Sequence, residues 1–153
     1  MPHVSAMRSE RQRDWLRFIR DSAKNPPTEL GADVAIDVGT TWDVVIGADW
    51  RPIVVLGVAA LVQSIMLGLE VYPGTWWISD FGGSMERHLG SSASPGVLME
   101  DVLRVLKAER RIVRGTEAVR VTDKGDNRQL VEVEFIPRGV QAPFVLYAPA
   151  RRG

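Results

Sequence analysis

The chain contains no cysteine. Disulfides and thiolate metal sites are excluded, and no redox compartment is indicated. Histidine is almost as scarce, with only His3 near the N-terminus and His88 far from it. Two isolated histidines without a thiolate do not make a zinc site. Lysine occurs only as Lys24, Lys107 and Lys124, so arginine supplies most of the nineteen basic residues. That bias reads as a GC-rich coding composition, not as a binding function. Neither sign of charge dominates, because nineteen acidic residues balance the basic ones. There is no overall field to draw in nucleic acid or acidic substrates. Long apolar runs are missing too. The uncharged stretch from Pro52 to Leu69 is interrupted by Gly57, Gln63, Ser64 and Gly68. It falls short of the roughly 20 apolar residues that a spanning helix needs. The N-terminus has charges but no apolar core of a signal peptide, and there is no internal repeat.

What is present fits one domain of modest core. The chain has 153 residues, 45% hydrophobic and 25% charged, ordinary values for a globular protein. The expected division is an N-terminal amphipathic helix over 1–25 and a single α+β domain over 26–153. The centre of that domain is the stretch from Val58 to Gly90. Val58, Leu61, Val62, Ile65, Met66 and Leu69 recur at helical spacing, and only Gln63 and Glu70 are strongly polar. A helix apolar nearly all round is buried. Tyr72-Pro73-Gly74 stops it. Trp76, Trp77 and Ile78 follow, then the tight Asp80-Phe81-Gly82-Gly83 and a short helix from Ser84 to Leu89.

Ahead of this centre, Ser5 to Lys24 predicts an exposed helix with Trp15, Phe18 and Ile19 on one narrow apolar stripe. Two destinations are open for that stripe, its own domain or a helix of a partner. Asn25-Pro26-Pro27 ends the helix. Short strands are expected at Val34 to Val38, Trp42 to Ile46 and Ile53 to Leu56. Behind the centre, Ser94 and Pro95 start a helix that runs to about Arg110, with Leu98, Val102 and Val105 facing inward. The period then switches to two. Val119 and Val121 form one strand, and Lys124-Gly125-Asp126-Asn127 a hairpin turn. Val131, Val133 and Phe135 form a second strand, and Phe144 to Tyr147 a last extended piece. Ala148 to Gly153 reads as a loose tail.

Three of these stretches, in order, resemble the small baseplate wedge proteins of contractile phage tails. This family includes the protein W group of P2-like phages and is sometimes labelled lysozyme-like. The first match is the buried helix with Gln63-Ser64-Ile65 closing on Pro73-Gly74. The second is Asp80-Phe81-Gly82 with the short helix to Leu89-Gly90. The third is Glu109-Arg110-Arg111-Ile112 against a family Glu-Pro-Arg-Ile at the helix-to-strand junction, with Arg110 in place of the proline. The resemblance covers Val34 to Val121. It implies a structural subunit in six copies that joins the wedge helical bundle to tube and sheath and nucleates sheath assembly. Its place would be the virion, assembled in the host cytoplasm. Its partners would be other wedge subunits, tail sheath and tube or hub proteins, with no nucleic acid, membrane or cofactor. The same family serves phage tails, tailocins, type VI secretion and extracellular injection systems.

On this reading Glu109, Arg110 and Arg111 dock on the bundle, while Gln63, Pro73, Gly74, Phe81 and Gly82 shape the scaffold. Val131, Val133, Phe135, Phe144 and Leu146 lie on strands that offer an edge to the sheath. For Glu109 and Arg111 the plainer alternative is a surface ion pair of little worth. Enzyme chemistry finds little footing. Glycoside hydrolysis needs two carboxylates flanking a cleft, and the sequence around Asp80 and Glu86 gives no evident apolar pocket to raise a pKa. Ser64 and Ser79 lack a nucleophile elbow, and Gly82-Gly83-Ser84 is no phosphate loop. The rivals are a small protein anchored in a membrane by 52–69 and, behind it, a muralytic enzyme.

Overall fold

A computed structural model describes residues 10–37, 43–70, 95–125 and 128–151. The protein is α+β. Its described elements are α1 (Glu10–Ser22), β1 (Ala32–Val34), β2 (Val54–Leu56), α2 (Gly57–Glu70), α3 (Pro95–Ala108), β3 (Ala118–Gly125), β4 (Arg128–Phe135) and β5 (Phe144–Arg151). Several expectations lie outside the described residues: Pro73-Gly74, Trp76 and Trp77, the loop with Phe81 and Gly82, and the helix from Ser84 to Leu89. The chain divides into two compact units, Met1–Gln63 and Ser64–Gly153, and the division falls inside α2.

In the first unit α1 does not stand apart. Ile19 is buried in a cluster with Ala35, Val55, Ala59 and Ala60, and Trp15, Leu16 and Phe18 pack against it. The Trp15 indole N–H donates to the Ile36 carbonyl at 2.8 Å, and the Gln12 amide donates to the Asp37 carboxylate. Trp15, Phe18 and Ile19, one of whose two expected uses was a partner helix, thus cover their own domain. A stripe so narrow is filled by a two-stranded ribbon and the start of one helix.

Among the described residues, the strands expected from Val34 to Val38, Trp42 to Ile46 and Ile53 to Leu56 are β1, β2 and isolated bridges, with Val38 and Trp42 lying outside the described residues. β1 and β2 pair antiparallel, with Val34 opposite Val54. Beyond them Ile36 bridges Val44, and Ile46 bridges Pro52. The reason is a closed ring of backbone bonds. Ala35 N–H donates to Ile53 O at 2.7 Å, Ile53 N–H to Val45 O at 3.0 Å, and Val45 N–H to Ala35 O at 2.9 Å. Each segment serves two neighbours within a few residues, so none can continue a ladder with either. Ala35, Val45 and Ile53 contribute to the core, while Val34, Val44, Ile46 and Val54 face out.

Helix α2 is buried as its composition demands. Ala59, Ala60, Leu61, Val62 and Gln63 are consecutive and all buried, and at 3.6 residues per turn five in a row cover the full circumference. Its 14 residues rise only about 21 Å, against a hydrocarbon core of roughly 30 Å. Among the described residues no helix is long and apolar enough to cross a membrane.

In the second unit α3 packs against β3 of an antiparallel sheet ordered β3-β4-β5. Leu98, Val102 and Leu106 are its buried residues. The strict four-residue step carries Leu106 inward, and Val105, expected there, is only half-buried. The hairpin comes where the sequence places it, with a register shift between Asp123 and Gly125. Two expectations for the C-terminal region change. Val131, Val133 and Phe135 lie on the central strand, bonded on both sides and buried to 0% exposure, so they present no edge. Phe144 and Leu146 lie on β5, which is an edge strand, but they face inward opposite Phe135 and Val133. The Phe135 and Phe144 ring centroids are 5.6 Å apart. The expected loose tail is strand as far as Arg151, paired with Arg128. Pro149 is compatible with this because an edge strand leaves one side of its backbone unpaired.

Gly57 begins α2 at φ +61°, and a Cβ there would come within 2.9 Å of Ser22 O and 3.0 Å of Pro26 Cβ. Gly57→Ala is expected to lower stability by about 1–3 kcal/mol through strain and clash. Urea denaturation beside the wild type measures it, and an unchanged midpoint would show that the helix start relaxes freely.

Candidate functional site

Two polar side chains sit side by side on the buried helix and serve different segments. Gln63 is 1% exposed. Its amide N–H donates to Val34 O at 2.9 Å, and its amide oxygen accepts from Ile36 N–H at 2.8 Å. The carboxamide thus stands in for a neighbouring strand, offering one donor and one acceptor to an extended segment. This satisfies two backbone groups that the ring of bonds leaves over. Gln63 thus ties α2 to the backbone of 34–36, through a bond pattern that its spacing does not show.

Ser64, next along, belongs to the second unit. Its hydroxyl donates to Glu109 Oε2 at 3.3 Å, across 45 positions of sequence. Glu109 follows the last residue of α3, where the helix dipole disfavours a negative charge. Arg111 compensates with a two-pronged grip, Nε to Oε1 at 2.8 Å and Nη2 to Oε2 at 2.8 Å, and its backbone N–H adds a bond to Oε1 at 3.2 Å. Burial alone would push the Glu109 carboxyl up. The Arg111 guanidinium, the Arg111 N–H and the Ser64 hydroxyl together outweigh it and hold the group below the usual carboxylate range. The pair is partly buried and bidentate, the geometry in which an ion pair is strongest, so it differs from a solvated surface bridge.

The junction that carries this pair is sewn to the exit of β4. Val113 N–H donates to Ile136 O at 2.8 Å, and Arg138 N–H to Arg111 O at 2.8 Å. The Arg138 guanidinium donates to Arg110 O at 2.6 Å, and Ile136 N–H to the Thr116 hydroxyl at 3.1 Å. The result is a half-open cavity of about 660 Å³ lined by Leu106, Lys107, Glu109, Arg110, Ile112, Arg114, Gly115, Glu117 and Arg138. Leu106 and Ile112 are buried, and Lys107, Arg110, Arg114 and Arg138 are exposed.

The structure therefore brings Ser64, Glu109, Arg110 and Arg111 together. It places Trp15, Phe18 and Ile19 in the core of the first unit, and Val131, Val133 and Phe135 under the sheet of the second. Sequence reasoning missed Lys107, Arg114 and Arg138. The first two were accessible as a series of basic residues in the last turn of α3 and just past it, at 107, 110, 111 and 114. Arg138 joins them only through the pairing of 111–113 with 136–138. Among the described residues no cluster of His, Asp or Glu has the makings of a metal site.

Gln63→Met keeps the volume and leaves Val34 O and Ile36 N–H unpaired. A loss of about 2–4 kcal/mol is expected, from two backbone groups at the usual cost of an unmade bond, read by urea midpoints. For Glu109 the folded pKa lies below the unfolded value near 4.5. Its stabilisation is complete above that value and is lost as pH falls through the folded pKa. The stability difference between wild type and Glu109→Gln should thus be largest near pH 6 and shrink toward pH 3. A difference that stays constant would show that ionisation of Glu109 contributes nothing.

Comparison with protein-family models, with curated proteins and with solved structures finds no match to this chain.

Proposed function

We propose that this chain is a structural wedge subunit of a contractile tail or contractile injection system, present in six copies per baseplate. It would join the wedge bundle to tube and sheath and start sheath assembly. One observation carries the reading. Two of the stretches on which the resemblance rests, Gln63-Ser64-Ile65 and Glu109-Arg110-Arg111-Ile112, meet at the Ser64–Glu109 hydrogen bond. One residue of each stretch is joined to the other by this bond, and neither pattern alone implies it. The substitution at position 110 is compatible with it. The Arg110 backbone N–H makes no hydrogen bond among the described residues, so a proline there would forfeit no donor.

The chemistry of the corner favours docking over catalysis. Glu109 is held ionised and saturated by four donors. A carboxyl with a lowered pKa and no spare proton is a poor general acid. For the sheath, β4 offers no edge; the outer strands are β3 and β5, and β5 is the one that carries the expected Phe144 and Leu146. Its outer side is unpaired among the described residues, and an incoming strand would find backbone groups there with little demand on sequence.

The test is composition and loss. Mass spectrometry of tail particles purified from the host strain should find the chain at about six copies per particle, the count that the resemblance implies. Deleting its gene should abolish sheathed tails in electron micrographs. Normal sheathed tails without the protein, or its absence from particles, would overturn the proposal. Clearing of peptidoglycan by the purified chain would favour the muralytic alternative instead.

A further inference from the structure

We propose that the cavity beside the Glu109–Arg111 corner receives an acidic, partly apolar polypeptide segment of a protein partner. This rests on the docking reading above and supplies its chemistry. The floor is Leu106 and Ile112, and the rim carries Lys107, Arg110, Arg114 and Arg138. Two carboxylates stand against these four cations, and both are engaged. Glu109 is gripped by Arg111, and Glu117 accepts the Gly115 N–H at 3.0 Å. The ion pairs among the described residues use none of the four rim cations. A chain of balanced overall charge thus gathers unmatched positive charge around one opening.

The shape of the site selects the class of ligand. Nucleic acid binds along a basic track that follows successive phosphates, whereas these cations surround a single cavity with an apolar floor. A metabolite pocket aims its own polar groups at the ligand, but of the two carboxylates that line this one Glu109 is saturated from within the chain and Glu117 is turned to the Gly115 N–H. An aliphatic side chain fits over Leu106 and Ile112 while flanking carboxylates meet the guanidinium forks of Arg110 and Arg114.

The full-length protein is titrated into a fluorescein-labelled octapeptide alternating leucine and glutamate, and into its leucine–lysine counterpart, with anisotropy as the readout. The acidic peptide should bind, the basic one should not, and affinity should fall as salt rises. Arg110→Glu with Arg114→Glu should weaken binding by at least about tenfold. Neither side chain makes a hydrogen bond or ion pair among the described residues, so thermal unfolding of the variant should match wild type. If that variant is unstable, Lys107→Glu on the exposed face of α3 replaces it with the same expectation. Undiminished binding by a folded variant overturns the proposal. So does displacement of the labelled peptide by inorganic tripolyphosphate at lower concentration than by unlabelled peptide, which would mark a small-anion site. Equal incorporation of wild type and variant into tail particles leaves the baseplate reading standing and removes this one. Peptide binding lost in the variant, by a chain absent from tail particles, keeps the acidic-segment assignment and removes the baseplate reading.

Discussion

A helix buried on every side must satisfy each polar group it carries from within the protein. Helix α2 carries two in succession. Gln63 turns its amide on the backbone of Val34 and Ile36, and Ser64 turns its hydroxyl on Glu109. The first bond set completes the small β ring of the N-terminal unit. The second anchors the charged junction after α3. An apolar residue at either place would bury as well, but it would leave backbone groups or a carboxylate short of a partner.

The Glu109–Arg111 pair shows how local geometry and burial trade against each other. Desolvation works against the charge, and so does the C-terminal end of the α3 dipole. The fork of Arg111, two residues on, overcomes both because the turn between them brings it in range without ordering a distant element. Pairing of 111–113 with 136–138 then holds the turn. In the proposed role such a corner must keep its shape when a partner presses on it, and a closed set of short bonds provides that stiffness. Lys107, Arg110 and Arg114 make no side-chain bond within this set, whereas the Arg138 guanidinium belongs to it through Arg110 O.

Sheet order has a comparable consequence. Because β4 lies in the middle, its alternating valines and Phe135 are spent on the core, and any strand addition falls to the outer strands β3 and β5. The outer face pairs Arg120 with Glu132, and Glu132 with Tyr147 across the strands, a surface suited to solvent or to contact without being apolar. Strand alternation shows which residues share a face, but it is silent on which strand is central.

Much of the framework was legible in the residues: three helices near their observed bounds, the hairpin at Lys124 to Asn127, the burial of α2 and the strand through Val131 to Phe135. These follow from periods of 3.6 and 2 and from turn chemistry, which act over a few neighbours and are written locally. Glu109 and Arg111 were also visible, two residues apart. Other features depended on contacts between distant segments. The ring of Ala35, Val45 and Ile53, the packing of α1 on its own unit, the inward turn of Phe144, the strand at Ala148 to Arg151 and the arrival of Arg138 beside Arg110 all belong there. Such choices are settled by which backbone groups remain unpaired and which apolar faces remain open once the whole chain has collapsed, quantities that exist only in three dimensions.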